Sequence, residues 1–92
     1  MLFRSLLTIM KQVRAEKPDL PRAYQLVFDD LEQRIKTDHS RATLNVAASA
    51  MLALATPRFS PFMLELIVAP AYAKDKKPEI VRAIEEESRR WQ

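Results

Sequence analysis

The sequence predicts an all-α protein, a compact bundle of four to five short helices around a central alanine-rich one. Three observations carry that expectation. Glycine is absent from all 92 residues, and the tight hairpin turns of β-rich folds lean on glycine for positive φ. The strong helix formers Ala, Leu, Glu, Arg, Lys and Gln dominate the composition. Apolar residues recur at spacings of three and four along most of the chain, which is the period of one helix face.

Size adds a constraint. A chain of 92 residues has room for one core, so residues 1–92 are expected to form a single helical domain. A core of that size is marginal. With no cysteine, disulfides cannot reinforce it, and thiol chemistry, Cys-ligated zinc and iron–sulfur clusters are excluded. Association is the remaining source of burial, so self-association or a protein partner is expected. The lack of glycine also argues against phosphate-cradling loops, dinucleotide fingerprints and nucleophile elbows. No cofactor or metal is expected. The net charge of +3 is mild, suiting an acidic protein surface or simple solubility, in a chain expected to be cytoplasmic.

The first helix is expected over residues 2–14, where Phe3, Leu6, Leu7, Met10 and Val13 share a face. Its basic, acid-poor character also fits a targeting or membrane-surface segment, the alternative to a plain packing helix. Two prolines, Pro18 and Pro21, then break the chain. The second helix runs from about Leu20 to Lys36, with Tyr24, Val27, Phe28, Leu31 and Ile35 as its stripe. Asp38 or Ser40 can cap the next helix. That third helix, Ser40–Thr56, is alanine-rich, with Leu44, Ala47, Ala48, Met51, Leu54 and Ala55 at helical spacing. Its uncharged run is too short and too polar for a membrane span.

Between Ala42 and Ala73 only Arg58 and Glu65 carry charge. After the loop at 56–60, Pro61 opens a fourth helix over Pro61–Val68, apolar nearly all round and so expected to be covered on several sides. Pro70 should end or kink it. The last helix runs from Pro78 to about Arg90, with Ile80, Val81, Ile84, Ser88 and Trp91 on one face and Glu85, Glu86 and Glu87 as a solvated ridge. Lys17-Pro18-Asp19-Leu20-Pro21-Arg22-Ala23 echoes Lys77-Pro78-Glu79-Ile80-Val81-Arg82-Ala83, as two helix starts reaching one solution or as a duplicated hairpin.

Three functional classes stand against this background. A non-catalytic protein–protein interaction module, an adaptor, inhibitor or regulator that is itself oligomeric, would use the aromatics near loops and ends: Phe59, Phe62, Tyr72 and Trp91. The same four side chains also suit the core of a small bundle. A helix–turn–helix regulator over residues 22–55 would place Arg41, Thr43 and Asn45 at the start of a recognition helix, with Arg34, Lys36 and His39 on phosphates. Asp38 and the apolar body of the third helix oppose it. An enzyme would have to use His39 or Glu85–Glu87. Adjacent Asp38, His39 and Ser40 point in different directions from one turn and do not make a triad. The sequence therefore favours the interaction module.

Overall fold

The computed structural model describes residues 2–90, with side chains from Ser5 onward. Phe3 as a packing residue and Trp91 as a candidate anchor thus lie outside the described side chains. Five helices are present, with no strand among the described residues. They are α1 (Leu2–Glu16), α2 (Arg22–Arg34), α3 (Arg41–Ala55), α4 (residues 60–74) and α5 (Pro78–Arg89). A single 3₁₀ turn, Pro57–Phe59, joins α3 to α4.

The stripe read from α2 is the floor of the core: Tyr24, Val27, Phe28, Leu31 and Ile35 are all buried. Helix α5 packs on both α2 and α4, bringing Ile80, Ala83 and Ile84 to the core. Helix α3 contributes its small face, with Ala47, Ala50 and Ala53 buried and Leu52 outside. The buried stripe is offset by about one residue from the expected one, since Leu44, Ala48 and Met51 are only half-buried and Ala55 is exposed. A helix apolar on every side has too weak a periodicity to orient it, and closeness of approach to α2 and α4 decides instead. Helix α1 rests chiefly on α2 through Leu6 and Met10. Arg14 locks the pair, reaching Glu32 and Asp29 at 2.7 Å each. The hydrogen bond to Glu32 pushes the guanidinium pKa up despite partial burial.

The molecule measures 38 × 30 × 18 Å. With helices about 10 Å across, the short dimension holds two layers. No single helix is long and apolar enough to cross a membrane; the two segments Arg41–Ala55 and Pro57–Lys74 reach that length only together and are bent by 119°.

Helix α4 departs from expectation. It does not stop at Pro70 but continues to Lys74, because a π turn over Leu64–Val68 precedes the proline. There the Ala69 N–H donates to the Leu64 carbonyl, five residues back. This wider register moves carbonyls away from the pyrrolidine ring, which would otherwise collide with the carbonyl four residues before it. The helix ends in a Schellman motif, with Lys77 N–H donating to Tyr72 O (3.0 Å) and Lys76 N–H to Ala73 O (3.1 Å). Lys76 has φ 57°, the left-handed position usually given to glycine, at a cost of about 1 kcal/mol. The echo between residues 17–23 and 77–83 has no structural counterpart. Pro18 lies in a turn ahead of α2, whereas Pro78 is the first residue of α5.

The α2–α3 turn is closed by capping. Ser40 Oγ accepts from Thr43 N–H (3.3 Å), and Asp38 accepts from Ser40 N–H (3.0 Å) and Thr43 Oγ1 (2.7 Å). The Thr43 hydroxyl, with lesser help from Ser40, holds the Asp38 pKa down at about 2. The folded pKa lies below the unfolded one, so this contribution is full above the ordinary carboxylate pKa near ~4 and is lost as pH falls towards 2. Thermal melts of wild type are therefore expected to lose midpoint temperature across that window, and an Asp38→Asn variant to lose less. Parallel declines would show that the cap does not titrate with folding.

Candidate functional site

Two surface features stand apart. The first is the outer face of α4. Phe62 and Leu66, four residues apart on one helical face, are 60% and 59% exposed, and Phe59, just before the helix, is 55% exposed. Ile67 is also exposed, as is Leu52 near the end of α3. The inner face of the same helix carries Leu64, Val68 and Tyr72, all fully buried. The expectation that α4 is covered on several sides is thus corrected: one side is covered and the other faces outward. Between Ser60 and Ala73 its only charged residue is Glu65, which accepts from Ser88 Oγ; Lys74 ends the helix and Arg58 lies just before it.

The candidate anchors divide accordingly. Phe59 and Phe62 lie on the exposed side. Tyr72 belongs to the core: its hydroxyl donates to Val27 O at 3.5 Å, and the Arg34 guanidinium sits 5.3 Å from its ring centroid. Burial first, then the Asp30 charge, pushes the phenol pKa far above its ordinary value.

Of the residues proposed for a nucleic-acid surface, Lys36, Arg41 and Asn45 are exposed. Thr43 is buried at 1% exposure and occupied by the Asp38 cap, so it cannot reach a base edge. Arg34 is held between Asp30 (3.1 Å) and Asp75 (2.7 Å). Asp38 and Ser40 serve the α3 cap. No group of three or more His, Asp or Glu side chains with metal-binding geometry occurs among the described residues.

The second feature is a cleft of about 420 Å³ between the α1–α2 turn, the C-terminal end of α3 and the side of α5. Leu20, Leu54 and Pro57 supply apolar wall, while Glu16, Lys17 and Asp19 stand at its exposed edge. Three buried polar side chains reach it: Tyr24, Ser60 and Glu87. Tyr24 and Ser60 hydrogen-bond through their hydroxyls. Burial raises the Tyr24 pKa; the Ser60 bond opposes this and the Glu87 charge adds to it. Glu87, placed on a solvated ridge by its neighbours in sequence, is 6% exposed and pairs with Arg90 at 3.5 Å. Glu85 and Glu86 are exposed as expected. The helical phase explains the difference: Glu87 follows Ala83 and Ile84 on the inner face of α5.

Compared with known protein families, curated proteins and solved structures, the chain matches none.

Proposed function

We propose that this chain is a non-catalytic protein–protein interaction module that works as a homodimer, with the outer face of α4 as its interface. The observation that supports this reading is the apolar face of Phe59, Phe62 and Leu66, left uncovered on a helix whose opposite face builds the core. Large exposed apolar side chains at one place mark interaction surfaces, and aromatics are over-represented among interface anchors. A second copy is favoured as occupant by charge. Arg58 and Glu65 lie on either side of Phe62 at similar separations in sequence. Two copies of α4 packed antiparallel about a two-fold axis near Phe62 would set Arg58 against Glu65 of the partner subunit, with apolar surface between.

Sedimentation velocity over a concentration series tests this. Wild type is expected to dimerise with a Kd of roughly micromolar or tighter. The double variant Phe62→Asp, Leu66→Asp is expected to be monomeric at every concentration with unchanged far-UV circular dichroism. Both side chains are exposed in the monomer, so their loss should alter its stability by only about 0.5 kcal/mol. A wild-type chain still monomeric at about 100 μM, or a variant that dimerises equally well, overturns the reading.

A further inference from the structure

We propose that the cleft bounded by Tyr24, Ser60 and Glu87 binds a small primary ammonium ligand, an alkyl- or arylalkylamine, independently of the α4 interface. The cleft has the volume of a small-molecule site and the usual make-up, an apolar wall with a few convergent polar groups.

Charge selects the ligand's sign. The chain as a whole carries +3, yet the cleft is lined by three carboxylates, Glu16, Asp19 and Glu87, against the one ammonium of Lys17. The C-terminal end of α3 also opens here, and its last carbonyls carry the negative end of the helix dipole. The protein supplies its own illustration: Lys17 Nζ donates to Leu54 O at 3.3 Å, an ammonium seated on that helix end.

Hydrogen-bonding capacity selects an ammonium with three N–H groups. Tyr24 and Ser60 are each at least nine-tenths buried, and the bond they share uses one of their two O–H groups. Oxygen lone pairs of both hydroxyls remain for a donor, beside the Glu87 carboxylate. A primary ammonium matches those acceptors, and Leu20, Leu54 and Pro57 would cover its hydrocarbon part.

An NMR amide-shift titration of the intact chain tests this with three probes of one shape: phenethylamine, phenethyl alcohol and hydrocinnamate, all at neutral pH. Phenethylamine is expected to give saturable shifts at residues 16, 17, 19, 20, 53–56, 60 and 87 with a Kd of about 1 mM or below, and the alcohol to bind about tenfold more weakly. Lys17→Met, which removes the competing ammonium from an exposed position, should tighten the amine about threefold, and Asp19→Asn should weaken it by a similar factor. Glu87→Gln should weaken it most, provided its circular dichroism and melt match wild type. Equal affinity for all three probes, preference for hydrocinnamate, or no saturable shift with phenethylamine up to about 20 mM would overturn the assignment. So would a Lys17→Met variant that binds the amine less well.

Discussion

Replacing Tyr72 with alanine is expected to remove about 3–5 kcal/mol of stability, the usual cost of deleting a fully buried aromatic ring. Chains of this size are stable by roughly 5–10 kcal/mol in total, so the variant should sit near its unfolding transition at room temperature. The loss has three parts. The ring leaves a void beneath α4, the Arg34 guanidinium loses the face it stacks on, and the hydroxyl contact to Val27 O disappears. Tyr72→Phe isolates the last of these. At 3.5 Å that bond is at the limit of hydrogen-bond geometry, so phenylalanine should cost less than about 1 kcal/mol. Urea titrations followed by circular dichroism would separate the two variants. A Tyr72→Ala chain that keeps its midpoint and loses only its oligomeric state would make Tyr72 an interface anchor instead of a core residue.

The contrast between Tyr72 and Phe62 shows what could be read from sequence and what could not. Both are aromatics in an apolar, charge-poor stretch near loops, and composition cannot separate them. Their positions on α4 differ by ten residues, and over an unbroken α helix that spacing would leave them only about 80° apart around the axis. The π turn between them shifts the register, and this is the step that periodicity does not reveal. A hint was present in Pro70, since a helix that passes through a proline must widen or kink before it. The stripe of α2 needed no such correction, because its charged residues occupy the other faces and fix its orientation. Helix α3 lacks that contrast, and its buried face is offset by about one residue from the one its spacing predicts. The same reasoning explains the cleft. Tyr24, Ser60 and Glu87 come from separate segments, and Glu87 stood in a run of three glutamates that looked solvated as a group. Counting from Ile80 and Ala83 along the helix places Glu87 inward, so its burial was legible from phase though not from composition.

The second large effect is expected at Asp30, which anchors the α4–α5 turn to α2. Its carboxylate takes Lys77 Nζ on Oδ1 and Arg34 at 3.1 Å on Oδ2, and Arg34 continues to Asp75 at 2.7 Å. The side chains of Asp30 and Arg34 are only 12% and 18% exposed, so water screens their attraction poorly. Asp30→Ala leaves Arg34 and Lys77 as neighbouring cations, with Asp75 as the remaining carboxylate of the network. Breaking a buried pair from one side is costly because the remaining charge stays desolvated. Asp75 limits the damage here, and the expected loss is about 2–4 kcal/mol. Asp30→Asn retains the shape and one acceptor and should fall between wild type and alanine. The two cationic partners should behave differently. Lys77 is 41% exposed, so its coupling to Asp30 in a double-mutant cycle should stay below about 1 kcal/mol and weaken further in molar salt. The coupling to Arg34 should be larger and nearly insensitive to salt. If both couplings vanish in salt, the network is a surface feature and the turn is held by apolar packing alone. A salt-resistant Arg34 coupling instead makes Asp30 the polar fastening between α2 and the turn that follows Tyr72, holding the ring against its core face while the opposite side of α4 stays open.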